Sequence, residues 1–166
     1  YVRPDSALDR AAYKRGNSVY FPDRVVPMLP ERLSADLCSL REGEVRPVLA
    51  VRMQFDASGH KRGQRFTRAL MRSAARLTYR EAQNAWNGQA DAKTKPLMSG
   101  ILSPLFSAYE TLKRARQLRS PLDLDLPEHR IRFDAVGKIA EVVPRERLES
   151  MRLIEEFMIA ANVAAA

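Results

Sequence analysis

The chain has 166 residues, 45% of them apolar, which is enough for one domain with a sizeable core. Its formal net charge of +8 favours a polyanionic partner without identifying one. No apolar run approaches the roughly 18 residues of a membrane span. We find no signal-peptide pattern, although the chain begins at Tyr1. The lone Cys38 excludes an intrachain disulfide. We predict that it is buried on an apolar helix face in a reducing, cytoplasmic compartment.

Both ends of the sequence have the pattern of interrupted elements. Residues 1–4 are typical of the end of a strand, and residues 164–166 lie inside a predicted helix that has no cap, glycine or proline. We therefore expect a piece of a longer protein, in which residues 1–166 form one partial domain.

The first predicted elements are a capped helix and a short strand. Residues 6–15 have a helical pattern that Ser6 caps, with Asp9 completing a capping box and Gly16 placed just past the end. Residues 19–21 suit a strand that the following proline ends.

A proline-bracketed segment leads to a second helix and a hairpin. The leucines at positions 33, 37 and 40 share one face of a short amphipathic helix. Residues 45–55 alternate apolar and polar side chains, which predicts a strand. Residues 64–73 pair back with it across a turn at 57–59.

Helices dominate the next part of the chain. Thr78 and Glu81 form a second capping box, which opens a helix to about Trp86. Residues 87–95 are polar and predict a surface loop. A helical region over 97–118 is interrupted by a proline, so it is either kinked or two helices. Its second half carries an apolar stripe of Leu105, Tyr109 and Leu112.

The last predicted elements are a strand over 122–126, a hairpin of 130–133 with 139–143, and a helix from near Arg147 to the end. Hairpins mixed with helices, without regular strand–helix alternation, predict an α+β fold.

Basic residues concentrate in two places. Seven lie between residues 61 and 80 with no acid among them, a pattern that favours RNA phosphates over a merely solvated face. A second cluster is presented by one helix, and it is interpreted equally well as that helix's outer face. The two groups are Lys61, Arg62, Arg65, Arg68, Arg72, Arg76 and Arg80, and then Lys113, Arg114, Arg116 and Arg119.

Several longer stretches carry a family resemblance. The segment NSVYFPDRVVPMLPERLSADLCSL, the strand VRPVLAVRM, and then ARLTY, LDLDLPE and RLIEEFMIAANVAAA follow one another in order. Together they closely resemble the catalytic RNB domain of the ribonuclease II and ribonuclease R exoribonucleases. The opening YVRP and the wording RLIEEFMIAAN favour the ribonuclease R branch.

The resemblance implies a mostly antiparallel sheet with surrounding helices, of which this segment forms one wall of an RNA channel. It implies processive 3′-to-5′ hydrolysis of single-stranded RNA to nucleoside 5′-monophosphates, with Mg²⁺ held by clustered aspartates. In the family those aspartates precede the YVRP strand, and a catalytic arginine and glutamate follow the last helix. We therefore expect no catalytic residue and no metal ligand within 1–166, and no cleavage by this segment alone.

Tyr20 is the leading candidate for RNA contact. By spacing alone Tyr20 and Phe21 favour a core position. The resemblance instead implies that Tyr20 packs against a base near the RNA 3′ end, and stacking suits a non-specific nuclease. Phe21 is then expected to point the opposite way, into the core.

Two further RNA-binding residues, Tyr79 and Glu155, come from the resemblance. It implies that Tyr79 contacts the RNA backbone and that Glu155 accepts a ribose hydroxyl, the group that distinguishes RNA from DNA. On a helical wheel Glu155 lies within an apolar stripe that includes Met158 and Ile159, where an unpaired carboxylate is unfavourable. For Tyr79 the alternative is an ordinary half-buried tyrosine. For Glu155 the alternative is a salt bridge within the helix to Arg152, which can also pair with Glu156.

Other polar residues give weaker signals. Leu124 stands where some family members carry a stacking phenylalanine, so that role is not carried over, and we interpret Asp123 and Asp125 as structural. His60 and His129 are too isolated to predict a metal site or a triad. Two other functions stay open: a catalytically inactive RNB-type RNA-binding protein, and a basic interaction domain that does not bind RNA.

Overall fold

The structure is a computed structural model that describes residues 2–119, 129–144 and 146–166. Helices and strands are mixed, and the strands pair in two-stranded sheets, so the α+β prediction is confirmed. In chain order the elements are α1 (Ala7–Arg15), β1 (Val19–Tyr20), β2 (Val25–Val26), β3 (Val45–Phe55), β4 (Lys61–Arg72), α2 (Tyr79–Trp86), α3 (Ser103–Leu118), β5 (His129–Phe133), β6 (Ile139–Pro144) and α4 (Glu149–Ala165). Within the described residues, no helix combines the length and apolarity needed to cross a membrane.

The chain divides into two compact units. The first comprises Tyr1–Val48 with Leu70–Arg76, and the second comprises Leu49–Ala69 with Leu77–Ala166.

In the first unit, α1 has the predicted bounds. Ser6 caps it by accepting a hydrogen bond from the Asp9 amide at 3.2 Å, and Gly16 ends it at φ +75°. β1 pairs antiparallel with β2, with Val19 opposite Val26 and Tyr20 opposite Val25. Sequence patterning does not predict β2, because a two-residue strand is too short for an alternating pattern to show.

The predicted helix at residues 33–40 is a π-helical turn over Arg32–Leu37. Leu40 lies beyond it and is 48% exposed. Cys38 is exposed as well, so the prediction of a buried cysteine is wrong. The Cys38 amide donates to the Leu33 carbonyl oxygen at 2.9 Å and closes the turn, so the apolar face ends before it reaches this residue.

The predicted hairpin is present, with β3 at its predicted bounds. Val51, Met53 and Phe55 are half-buried, whereas Arg52 and Gln54 are exposed, which confirms the predicted alternation. β4 begins three residues earlier than predicted.

The turn of this hairpin rests on α3 in the second unit. Gly59 has φ +78°, and a Cβ placed on it would lie 2.6 Å from the Ala115 Cβ and 2.9 Å from the Thr111 carbonyl oxygen. Only glycine fits this close approach.

The core of the second unit lies between α3 and α4. Phe106 and Tyr109 are each 1% exposed and pack with Leu153. Trp86 stacks on Phe106 with ring centroids 4.6 Å apart. The predicted stripe on α3 is confirmed, because Tyr109 and Leu112 are buried and Leu105 packs against the core, but it omitted Phe106.

The interruption before α3 is a π-helical turn, Met98–Leu102, after a 3-10 turn, Lys95–Leu97. Pro104 then lies in the first turn of α3, where a missing amide hydrogen leaves no helix bond unmade. The polar loop before these turns is anchored, because Thr94 is 1% exposed and its hydroxyl donates to Asp91 at 2.7 Å. The prediction of a surface loop therefore does not hold at Thr94.

The second hairpin, β5–β6, is confirmed and antiparallel. The strand predicted at 122–126, with Asp123, Leu124 and Asp125, falls outside the described residues. The last helix begins at Glu149, two residues after its predicted start.

Candidate nucleic-acid interface

Tyr20, in the first unit, has a ring open to solvent. Its side chain is 76% exposed, and it makes no hydrogen bond or ring contact within the part of the chain that the structure describes. The prediction that Phe21 is core is wrong, because β1 ends at Tyr20 and Phe21 is 45% exposed. The Arg24 guanidinium lies 4.8 Å from the Phe21 ring centroid, so Phe21 already carries a cation on its ring.

Tyr79 is the first residue of α2, and its side chain is 43% exposed. The predicted capping box is confirmed immediately before it. The Glu81 amide donates to the Thr78 hydroxyl at 3.2 Å, and the Thr78 amide donates to the Glu81 carboxylate at 2.6 Å. Hydrogen bonds from Thr78 and then from Lys93 lower the pKa of Glu81 to about 2. The cap therefore stays ionised at neutral pH and fixes the backbone at Tyr79.

Ser150 joins α2 to α4 and is only 3% exposed. Its hydroxyl donates to the Tyr79 carbonyl oxygen at 2.7 Å, and its amide donates to the Gln83 side-chain oxygen at 3.0 Å. The sequence pattern does not predict this role for Ser150. The available signal was a serine beside the predicted helix start, but its partners lie about 70 residues earlier in the chain and cannot be identified from local pattern.

Glu155 lies in the middle of α4, with its side chain 42% exposed. Its carboxylate oxygens lie 3.6 Å from the Arg147 guanidinium and 4.0 Å from that of Arg116. The apolar stripe predicted around Glu155 is half-buried at Met151 but open at its other end, where Met158 is 60% exposed and Ile159 is 43% exposed.

The acid on the buried face of α4 is instead Glu156, which is 7% exposed. It forms a close salt bridge with Arg116 of α3. The expected pairing of Arg152 with Glu155 or Glu156 is wrong, because Arg152 pairs with Glu149 at 3.3 Å. Glu156 therefore pairs with Arg116, 40 residues earlier in the sequence, and not with Arg152, four residues earlier. A helical wheel describes only one helix and cannot show a partner on another.

A second polar contact joins α3 and α4 at Glu149. One of its carboxylate oxygens accepts from both the Tyr109 hydroxyl and the Lys113 ammonium, each at 2.7 Å. Burial raises the pKa of Glu149, but the bonds from Lys113 and Tyr109 outweigh burial and hold that pKa below its usual value. Lys113 and Arg116 therefore bind the acids of α4, and the interpretation of their cluster as an outer face is wrong for these two residues.

A small cavity of about 90 Å³ lies beside Glu155. Among the residues that line it are four cations and two acids, in part bound to one another. The lining residues are Tyr109, Lys113, Arg116, Gln117, Arg147, Arg152, Glu155 and Glu156.

The basic run over residues 61–80 is partly engaged in ion pairs. Arg62 pairs with Asp56 at 2.7 Å, and Arg80 pairs with Glu146 at 2.7 Å. Arg65 and Arg68 are exposed and make no hydrogen bond or ion pair with any residue in the described ranges. These two guanidinium groups are open to an external anion.

Metal-binding groups do not cluster in the described ranges. Across residues 2–119, 129–144 and 146–166, no three histidine, cysteine, aspartate or glutamate side chains are grouped so that they could hold a metal ion. These residues therefore do not fit a Mg²⁺ site.

Of the three predicted RNA-binding residues, two share a unit. Tyr79 contacts Ser150 through its backbone, and Glu155 follows five residues later on the same α4. Tyr20 belongs to the other unit. No hydrogen bond joins the side chains of Tyr79 and Glu155 within the described residues.

The chain is similar in sequence and structure to known proteins of one family. The family model of the RNB domain matches residues 1–166. Ribonuclease R of Vibrio parahaemolyticus is 42% identical over 100% of this chain and 20% of its own length, and that of Aquifex aeolicus is 42% identical over 98% and 23%. Mycoplasma genitalium RNase R, solved in complex with ribose methylated single-stranded RNA, has a TM-score of 0.90 at 28% identity, over 98% of this chain and 25% of its own. The chain thus spans about a fifth to a quarter of the length of these relatives.

Proposed function

Since the chain belongs to the RNB domain family, we propose that it is part of a processive 3′-to-5′ exoribonuclease that hydrolyses single-stranded RNA to nucleoside 5′-monophosphates. The observation that carries this proposal is the family match over residues 1–166, together with ribonuclease R relatives that are 42% identical. The RNA bound by the Mycoplasma genitalium neighbour supports RNA as the ligand. The net charge of +8 agrees with a polyanionic partner.

Within that enzyme, Tyr20 is the proposed platform for a base at the RNA 3′ end. Support comes from its 76% exposed ring, which is not engaged with another described aromatic residue or cation. Stacking on a base requires such an open π face and tolerates any sequence, because every base has one.

Tyr79 and Glu155 are proposed to hold the backbone and the ribose. Tyr79 presents a half-exposed phenol from a rigid helix start. The Glu155 carboxylate has cations at 3.6 and 4.0 Å, too far for a hydrogen bond, so its oxygens can still accept a bond from a ribose hydroxyl. Exposed Arg65 and Arg68 are the proposed phosphate contacts.

The metal and the cell compartment belong to the same proposal. Mg²⁺ would activate water for phosphodiester hydrolysis in the full-length protein. The family resemblance assigns its ligands to residues outside this chain, and the described residues bring no three metal-binding side chains together. We place the protein in the cytoplasm, where a single free cysteine stays reduced.

The experiment is a time course of the full-length protein with Mg²⁺ on a 5′-labelled single-stranded RNA and on a DNA of the same sequence. We expect steady shortening of the RNA from its 3′ end, nucleoside 5′-monophosphate products and an undegraded DNA. The 166-residue chain alone should give no cleavage. Salt-sensitive RNA binding without hydrolysis would instead favour the catalytically inactive RNA-binding protein. RNA binding that does not weaken as salt rises would favour the basic interaction domain.

Two substitutions test the proposed site residues. Tyr20→Ala should change the length of the final RNA product, whereas Tyr20→Phe should preserve it, because phenylalanine retains the π face. Unchanged product length in Tyr20→Ala would remove Tyr20 from the site. Glu155→Gln should reduce the preference for RNA over DNA, because an amide oxygen accepts a hydroxyl bond less strongly than a carboxylate. Undiminished discrimination would return Glu155 to a structural ion pair.

A further inference from the structure

Ser150 occupies an unusual place between the two helices that carry Tyr79 and Glu155. It is the second residue of α4, where a backbone amide has no partner within its own helix. The residue that precedes the helix, Leu148, offers no side-chain cap. Gln83 of α2 supplies the missing acceptor, and its amide group is itself oriented by a 3.1 Å hydrogen bond to Asn87.

The Ser150 hydroxyl makes the second half of this junction. It donates at 2.7 Å to the carbonyl oxygen of Tyr79, in the first turn of α2. Because Ser150 is 3% exposed, water does not compete for this bond. One residue thus binds α2 at two points one helical turn apart, Tyr79 and Gln83, and fixes both the distance and the rotation of α4 against α2.

We infer that Ser150 is a positioning residue for RNA recognition, which sets the backbone of Tyr79 relative to the carboxylate of Glu155. This inference rests on the proposed function, in which these two residues contact RNA. Glu155 lies five residues after Ser150, about 7.5 Å along the helix axis. Loss of the Ser150 hydroxyl removes one of the two hydrogen bonds that join α4 to α2 and lets α2 shift against α4, so the backbone contact of Tyr79 and the ribose contact of Glu155 no longer match one nucleotide.

The experiment measures equilibrium binding of a single-stranded RNA and of the matching DNA to the full-length protein, without Mg²⁺ to prevent cleavage. Ser150→Ala should lower the RNA-to-DNA affinity ratio about threefold to tenfold, the effect of one buried hydrogen bond. Ser150→Thr retains the hydroxyl and should restore the ratio. Gln83→Ala removes the other half of the junction without altering Ser150, and it should lower the ratio in the same direction.

A matched control is available in the same two segments. Glu146 pairs with Arg80 of α2 at 2.7 Å, but both side chains are at least 60% exposed, so this pair contributes little. Glu146→Gln should therefore leave the RNA-to-DNA ratio unchanged. Thermal unfolding of each variant reports general destabilisation separately from the ratio.

The outcomes separate this inference from the proposed function. If Glu155→Gln lowers the ratio while Ser150→Ala and Gln83→Ala do not, the inference is overturned and the site stands. If Ser150→Ala weakens RNA and DNA binding equally, its role is structural only, and the inference is again overturned. If Glu155→Gln and Tyr79→Ala both leave the ratio unchanged, the proposed site itself fails. A lower ratio in Ser150→Ala and Gln83→Ala, with restoration in Ser150→Thr, supports the inference.

Discussion

The two hairpin turns provide an internal comparison that isolates the packing of Gly59. In the first turn, the Ser58 and His60 amides donate to the Asp56 carboxylate at 2.9 and 3.0 Å. In the second, the amides of Val136 and Lys138 donate to the Asp134 carboxylate, both at 2.9 Å. Gly59 and Gly137 have φ of +78° and +81°. The turns differ at the glycine, because a Cβ placed on Gly59 would meet α3, whereas a Cβ placed on Gly137 would have no atom of the described residues within 4 Å.

Alanine substitution at both glycines therefore separates two free-energy terms. Gly137→Ala lowers the free energy of unfolding only because alanine is strained in a left-handed conformation, which costs about 1–2 kcal/mol. Gly59→Ala causes the same conformational strain. It also adds a clash with Ala115 and with the rigid Thr111 carbonyl, which costs about a further 1–3 kcal/mol. The total for Gly59→Ala is about 2–5 kcal/mol.

Hydrogen–deuterium exchange of the full-length protein, read from peptides that cover each hairpin, measures both terms locally. At about 1.4 kcal/mol per tenfold, Gly137→Ala should accelerate exchange in β5–β6 about fivefold to thirtyfold. Gly59→Ala should accelerate exchange in β3–β4 by a further factor of about five or more, and the effect should extend into α3. Equal acceleration at the two hairpins would refute the close approach of Gly59 to α3. The double variant Gly59→Ala with Ala115→Gly removes the 2.6 Å contact and should recover part of the loss.

Three other predictions concern charge. Glu81→Ala should destabilise the start of α2, because alanine removes the acceptor of the Thr78 amide. In the wild type a loss of the same kind should appear by circular dichroism as pH falls from about 4.5 towards 2, because a carboxylate with a lowered pKa stabilises the fold only above that range. Glu156→Gln should lower the free energy of unfolding by about 1–3 kcal/mol, since it replaces a charge-assisted hydrogen bond to Arg116 on a buried side chain with a neutral one, and a shift in urea midpoint as small as that of an exposed acid would contradict this. Replacing Arg65 and Arg68 together with glutamine should reduce the slope of log affinity for RNA against log salt by about 1.4, and an unchanged slope would remove both from the phosphate path.

Helix caps, strand bounds and turns were predictable from the sequence where all the residues that form them lie in one short segment. Thr78 and Glu81 satisfy each other's backbone within four residues, so their capping box and the start of α2 were predicted correctly. The bounds of β3 follow from apolar alternation along a single strand. The turn before β4 follows from a glycine three residues after an aspartate.

Contacts between distant segments were not predictable in the same way. Phe21 was expected in the core because its neighbour pattern suits a strand, but the strand ends one residue earlier and leaves it half exposed beneath Arg24. Cys38 was expected to be buried because a helical wheel assumes 3.6 residues per turn, whereas the segment forms a π-helical turn with a wider repeat. Ser150 has partners about 70 residues away, beyond the reach of any local pattern.

The neighbouring acids of α4 show how one helix can serve packing and recognition together. Successive residues on a helix lie about 100° apart, so Glu155 and Glu156 must face different surroundings. Glu156 turns inward and joins α4 to α3 through Arg116, while Glu155 remains 42% exposed, with the Arg147 and Arg116 guanidinium groups at 3.6 and 4.0 Å. The buried pair fixes the rotation of the helix and thereby the direction of the exposed carboxylate. A ribose hydroxyl contributes the binding free energy of only about one hydrogen bond. Discrimination between RNA and DNA through that hydroxyl therefore requires an acceptor whose position is already fixed before RNA binds. This requirement makes the inward contacts of Glu156 and Ser150 as relevant to the proposed RNA preference as the carboxylate of Glu155 itself.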